Sequence, residues 1–95
     1  MEILVTYDVD TTTPAGRRRL RRVARLCEKY GQRVQQSVFE VVIAQTEYVH
    51  FRASLQELIT EYDNLRIYTL HKGTLASATA LRKNIHIPEG APWIL

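Results

Sequence analysis

Residues 1–10 read Met-Glu-Ile-Leu-Val-Thr-Tyr-Asp-Val-Asp. Over positions 2–8 the side chains alternate: Ile3, Val5 and Tyr7 fall on one face, and Leu4, Thr6 and Asp8 on the other. Apolar residues on both faces suit a β-strand covered on both sides. Helices are expected over one face and a second subunit over the other. The strand ends in two carboxylates, Asp8 and Asp10, and the rest of the chain is read outward from that acidic tip.

Immediately after it, Thr11-Thr12-Thr13-Pro14 is a helix start. Thr13 is the capping residue, and Pro14 sits at the first helical position, where its missing N–H costs nothing. Leu20, Val23, Ala24, Cys27 and Tyr30 then form one apolar stripe, and Gly31 ends the helix. Arg17, Arg18, Arg19, Arg21, Arg22 and Arg25 take up most of the remaining surface. The first three lie in or near the first turn, where the helix dipole disfavours cations by up to about 1 kcal/mol each. Helix stability alone would place acids there, so the arginines point to another requirement. Arginine suits phosphate through bidentate hydrogen bonds.

Residues 32–45 are rich in Val, Ile and Phe and read as strand, interrupted near Gln36-Ser37 by a kink or bulge, with a second strand near 38–44. A second helix is expected from Thr46, with Tyr48, Phe51, Leu55, Leu58, Ile59 and Tyr62 as its apolar stripe. Asp63-Asn64 reads as a turn and Leu65–Leu70 as the last core strand. The order is βαββαβ, an α+β, ferredoxin-like pattern. Residues 1–70 form its core. Residues 71–95 form a tail whose Ile85 and Ile87 alternate like a short extra C-terminal strand. Its apolar end, Pro92-Trp93-Ile94-Leu95, is expected to dock on a partner subunit in a homodimer.

The totals narrow the function. Ninety-five residues make one domain. The net charge is +3, but residues 1–33 hold eight Lys/Arg against four Asp/Glu, which places one basic surface early in the chain and a polyanion opposite it. One cysteine, Cys27, excludes an intrachain disulfide and is read as a small buried hydrophobe. No apolar run reaches the length of a membrane span and the chain starts directly as a strand, so a cytoplasmic protein with no membrane partner is expected. His50, His71 and His86 lack metal-ligand spacing, and there is no phosphate-binding glycine loop.

Among residues that could carry chemistry, Asp8 and Asp10 suit Mg²⁺, which takes one or two carboxylates and keeps several waters. Equally, such residues close a strand and satisfy loop amides. One chain supplies too few acids for a two-metal site, so an Asp8 pair across a two-fold axis would be the source of the missing ligand. Arg33 would bind phosphate or pair with Glu28. Ser37 has no neighbouring base to make it a nucleophile, and Phe39 reads as core. No exposed aromatic series is present for reading bases, which favours contact with a duplex backbone.

Val-Thr-Tyr-Asp-Val (5–9), Arg-Arg-Leu-Arg-Arg-Val-Ala (18–24), Tyr-Gly-Gln-Arg-Val-Gln-Gln-Ser-Val-Phe-Glu (30–40) and Asp-Asn-Leu-Arg-Ile-Tyr (63–68) together resemble the CRISPR-associated endonucleases that are the smaller partner of the spacer-acquisition pair. The resemblance runs in order from residue 2 to about 70. It implies a homodimer whose sheets face each other, with the tail strand added to the partner's sheet. It implies Asp8 as catalytic residue and ligand of Mg²⁺ (or Mn²⁺), contributed once per subunit. It implicates Tyr7, Phe39, Arg33 and basic residues of the first helix, of which Arg19 and Arg22 match best; Ser37 falls within the same motif. It further implies a CRISPR integrase as partner and duplex DNA held for spacer acquisition, with nuclease activity on single-stranded RNA or on DNA in some members. Asp10 lies outside the motif. The first reading is a homodimeric scaffold that binds duplex DNA, the second is Mg²⁺-dependent phosphodiester hydrolysis at paired Asp8, and the alternative to both is a ferredoxin-like RNA- or small-ligand-binding module.

Overall fold

A computed structural model describes residues 1–81 of the chain. The elements are β1 (Glu2–Asp8), α1 (Pro14–Tyr30), β2 (Gly31–Gln35), β3 (Val38–Val42), α2 (Gln45–Leu58) and β4 (Asn64–Leu70). They form one four-stranded antiparallel sheet in the order β2-β3-β1-β4, the ferredoxin-like arrangement. β1 is central, paired with β3 on one side and along its whole length with β4 on the other. The expected extra strand at Ile85 and Ile87 and the docking segment Pro92–Leu95 lie outside the described residues.

Alternation along β1 decides the layers. Ile3, Val5 and Tyr7 are buried beneath the helices with Phe39 and Val41 of β3, and Val23, Ala24 and Cys27 of α1 and Phe51 and Leu55 of α2 close the core from above. Each fully buried Val, Ile, Leu or Phe among them contributes about 1.5–3 kcal/mol. Cys27 belongs to this layer, and burial pushes its thiol up to about 12, so it stays neutral and unreactive at neutral pH. On the other face of β1, Leu4 and Thr6 are half-buried and Asp8 is exposed.

Thr13 caps α1 as expected, its hydroxyl oxygen accepting from the Gly16 N–H at 3.0 Å. The first turn holds no acid. Gly31 does follow the helix, but its φ of −150° is ordinary extended backbone. Glycine is needed there for space, because a Cβ would collide with the Glu40 carbonyl and the Val41 side chain of β3.

Three boundaries differ from expectation. The break at Gln36-Ser37 is a tight turn that makes β2 and β3 a hairpin, and the bulge lies just before it, between Arg33 and Gln35. α2 starts at Gln45 and ends at Leu58, so Tyr62 is not on its stripe and is 72% exposed. The cause is local. Asp63 accepts hydrogen bonds from the Thr60 N–H and hydroxyl, and the Asp63 N–H returns one to the Thr60 carbonyl, which turns the chain out of the helix. The turn therefore falls at Glu61–Tyr62, and Asn64 already belongs to β4. Past β4, residues 72–77 form turns, Gly73 adopting a φ of +90°, and the Gly73 and Leu75 N–H groups donate to the Glu2 carboxylate at the start of β1.

Candidate active site and nucleic-acid interface

Asp8 stands at the last position of β1, opposite Asn64 of β4, on the face of the sheet away from the helices. Its side chain is exposed and makes no hydrogen bond or ion pair among the described residues. The backbone beneath it is held at both sides. Upstream, the Tyr7 N–H donates to the Ser37 carbonyl at 3.1 Å. Downstream, the Asp10 N–H donates to Asp63 Oδ1 at 3.1 Å. The Asp10 carbonyl packs against Gly16 so closely that a Cβ there would collide with it.

Asp10 differs from Asp8. Its Oδ1 accepts from the Thr12 N–H at 3.0 Å and the Thr12 hydroxyl at 2.7 Å. These bonds stabilise the carboxylate and hold its pKa below the ordinary value. The loop-closing role foreseen for such a residue is the one the structure gives Asp10.

The arginines of α1 divide into two groups. Arg18, Arg21, Arg22 and Arg25 are exposed on the side opposite the apolar stripe, with no hydrogen-bond or ion-pair partner among the described residues. Lys29 extends this face, its ammonium 5.6 Å from the Tyr30 ring. From Arg18 to Lys29 the face is about 16 Å long, close to the rise of roughly five base pairs of duplex. Arg17 and Arg19 are occupied. Arg17 Nη1 donates to the Thr11 carbonyl at 3.2 Å. Arg19 makes a two-pronged pair with Asp63, Nε to Oδ2 at 2.7 Å and Nη2 to Oδ1 at 3.0 Å. The Asp63 side chain is wholly buried. The guanidinium and the Thr60 and Asp10 donors hold its carboxyl well below the usual carboxylate range, while Asp63 in turn raises the Arg19 pKa.

Tyr7, Arg33, Ser37 and Phe39 come together on the helix-covered face. The Tyr7 and Phe39 rings stack with centroids 6.2 Å apart, and the Arg33 guanidinium lies 5.2 Å above the Phe39 ring. Arg33 also pairs with Glu28 at 3.2 Å, one of the two roles its position in the sequence leaves open, while its buried Nε has no partner among the described residues. With Leu20, Ala24 and Gln36, three of these residues line a small cavity of about 90 Å³. Asp8 is not part of this cluster: adjacent to Tyr7 in the chain, it points to the other side of the sheet.

Consequently the acidic tip and the free arginine face look in opposite directions. Among the described residues no three His, Cys, Asp or Glu side chains gather into a metal cage. One exposed carboxylate fits Mg²⁺, which accepts a single protein ligand and water, but not Zn²⁺ or Ca²⁺, which need more donors from the protein. Sequence reasoning missed Asp63, Thr60 and Glu2. The pattern Thr60-x-x-Asp63 before a strand is a local turn signal, but its partners at Asp10 and Arg19 are distant in sequence. No helix among the described residues is long and apolar enough to cross a membrane.

Comparison with known proteins agrees with this architecture. The CRISPR-associated endoribonuclease Cas2 of Chlorobaculum tepidum is 55% identical over 71 residues, 74% of either chain. The crystal structure of Streptococcus pyogenes Cas2 at pH 6.5 is similar with a TM-score of 0.75 and 49% identity, over 86% of this chain and 100% of that one. A chain of a partial Cas6-RT-Cas1–Cas2 complex is similar with a TM-score of 0.66 and 30% identity, over 84% of this chain and 89% of that one. The family described as CRISPR associated protein Cas2 matches residues 1–78. That span runs from β1, through the arginine helix, to the turns beyond β4, and the chain belongs to the CRISPR associated protein Cas2 family.

Proposed function

We propose that this Cas2-family chain works as a homodimer in CRISPR spacer acquisition, holding duplex DNA beside an integrase of the Cas1 kind, and that it cleaves phosphodiester bonds at a Mg²⁺ site built from the Asp8 carboxylates of two subunits. The observation that carries the reading is the state of Asp8. Asp63 and Glu2 spend both carboxylate oxygens, and Asp10 one, on internal donors, whereas Asp8 is held out on a braced strand end with no bond to its side chain among the described residues. A group presented this way is prepared for something outside the chain.

Dimerisation supplies what one chain lacks. The open face of the sheet carries Val42, 70% exposed, and Tyr68, 44% exposed, beside half-buried Leu4, Val38 and Leu70. Burying this face against a second copy would put both Asp8 residues in the interface layer and leave both arginine faces outward. When bound, Mg²⁺ would supply an activated water and neutralise charge on the scissile phosphate. Asp8 would anchor the ion, and the bonds at Tyr7 and Asp10 would keep that carboxylate in place. Arg18, Arg21, Arg22 and Arg25 would contact phosphates without reading sequence. Because they face away from Asp8, holding DNA and cutting nucleic acid are separable. This favours a second reading, in which the scaffold role persists without cleavage.

The test is paired. Asp8→Asn should abolish Mg²⁺-dependent cleavage and leave duplex binding unchanged. Reversing the charge of Arg18, Arg22 and Arg25 together should weaken binding and flatten its salt dependence, by about 0.9 in the log–log slope per lost phosphate contact. Cleavage surviving Asp8→Asn removes Asp8 from the mechanism, and unchanged affinity in the charge-reversed protein removes the arginine face from DNA binding.

A further inference from the structure

Arg19 is one of the six arginines that the sequence groups as a phosphate-binding helix face, but the structure sets it apart. Its Nε and Nη2 both donate to the buried Asp63 carboxylate, at 2.7 and 3.0 Å. That carboxylate collects three further donors: the Asp10 N–H at 3.1 Å, the Thr60 N–H at 2.8 Å and the Thr60 hydroxyl at 3.2 Å. One side chain therefore ties together the loop after β1, the start of α1 and the loop before β4. These three segments border a cleft of about 670 Å³ lined by Asp10, Thr13, Arg19, Thr60, Glu61 and Tyr62. The Asp10 N–H lies two residues beyond Asp8. Its carbonyl is blocked by the backbone at Gly16, so the loop cannot shift toward α1. Asn64, next to Asp63, is the cross-strand partner of Asp8 itself. Asp63 thus governs the tip of β1 through the chain on one side and through the sheet on the other.

We propose that Arg19 and Asp63 form a clamp that positions the Asp8 strand tip, so that Arg19 is a positioning residue for the cleavage site and takes no part in phosphate contact. The proposal rests on the reading of Asp8 as the metal-binding carboxylate. A guanidinium suits this work because its planar fork fills both carboxylate oxygens from fixed directions, which an ammonium cannot do. With the guanidinium removed, Asp63 keeps its two Thr60 donors but loses its lateral anchor. The Asp10 N–H then follows a mobile acceptor, and the carboxylate two residues away loses its fixed direction. Because two Asp8 groups must converge, small angular freedom at each tip multiplies at the shared site.

The experiment compares Arg19→Gln, Arg19→Lys, Asp63→Asn and Arg19→Gln/Asp63→Asn with Arg22→Gln and Asp8→Asn in the full chain, each first confirmed as folded by a cooperative urea transition. Three readouts are taken: Mn²⁺ affinity by electron paramagnetic resonance, amide exchange at Asp10, and the salt slope of duplex binding. Arg19→Gln and Asp63→Asn should each weaken Mn²⁺ binding about ten-fold and speed Asp10 exchange at least ten-fold. The double variant should be no worse than either single one, as expected of groups acting as a unit. Arg19→Lys should fall between the parent and Arg19→Gln. The salt slope should stay at the parent value for all four and fall by about 0.9 for Arg22→Gln. Where cleavage is measurable, kcat should fall with KM for the nucleic acid unchanged. A salt slope that drops for Arg19→Gln as it does for Arg22→Gln overturns the proposal, as does parental Asp10 exchange and Mn²⁺ affinity in both Arg19→Gln and Asp63→Asn. If Asp63→Asn fails to fold, Arg19→Gln alone decides. The foundation is judged separately: Mn²⁺ affinity unchanged in Asp8→Asn means that Asp8 is not the metal site, whatever the clamp variants do.

Discussion

Each end of β1 carries a carboxylate, and both lie on the face of the sheet away from the helices. Glu2, at the start, spends its two oxygens on the Gly73 and Leu75 amides and pins the turn after β4 to the strand. Those two bonds are the chief reason its pKa sits below the ordinary value. The Asp8 side chain, at the end, bonds to nothing among the described residues, although the backbone around it is braced by Ser37, Asp63 and Gly16. At one end the acid serves the fold. At the other the fold holds the acid out. On the proposed reading, that difference between two groups of the same chemistry on one strand is the difference between a structural carboxylate and a functional one.

The largest expected effect breaks the symmetry of that pair. Asp8→Asn should take Mg²⁺-dependent cleavage to background while moving the urea midpoint no more than a surface substitution does, within about 0.5 kcal/mol. Glu2→Gln should do the converse, leaving cleavage intact and speeding exchange of the Gly73 and Leu75 amides. Comparable losses of activity in both variants would mean that the two ends are not distinct.

Next in size is the bracing itself. Gly16→Ala forces a methyl group into the Asp10 carbonyl, backbone against backbone, and should destabilise the fold by about 1–3 kcal/mol, as overpacking does. Asp63→Ala should cost a similar amount, about 1.5–3 kcal/mol, because charged hydrogen bonds vanish and the Arg19 guanidinium loses its buried partner. Both are read from urea transitions at neutral pH. Values near zero would mean that the tip of β1 is not held from this side.

A smaller effect follows from pH. Asp63 and Asp10 have folded-state pKa values below those of the unfolded chain. The native state therefore holds fewer protons, and the stability from these groups is fully present above the unfolded carboxylate pKa of about 3.9. Urea midpoints should stay flat on acidification from pH 7 to about 5. They should then fall progressively below about pH 4, as the pH drops toward the folded-state values. Asp63→Asn should make that acid limb shallower. A midpoint that falls steeply between pH 7 and 5 would assign the titration to other groups.

How much of this could be read from the sequence depends on the distance over which each signal acts. The period of two in Ile3, Val5 and Tyr7 and the helical stripe of Leu20, Val23, Ala24 and Cys27 are local patterns, and both match the observed core. The face occupied by Asp8 follows from the same alternation. α2 ends before its apolar spacing does: Ile59 and Tyr62 continue that spacing, while the Thr60–Asp63 turn that stops the helix competes with it from four residues away or less. The division among the arginines was not legible at all. Arg18 and Arg19 are neighbours of one residue type, and only the return of the chain at Asp63 distinguishes them. The hairpin at Gln36-Ser37 appeared in the sequence only as broken alternation, since a two-residue turn and a bulge interrupt a strand pattern alike.

The most direct test of the shared Asp8 site is a crystal structure of the dimer soaked with Mn²⁺, read from its anomalous signal. A shared site requires a peak on the two-fold axis or close to it, with a carboxylate oxygen of Asp8 from each subunit at about 2.1–2.2 Å, a distance expected to be slightly longer than that for Mg²⁺. A peak that leaves both Asp8 side chains unliganded, in a dimer whose strand tips stand on opposite sides, would contradict it.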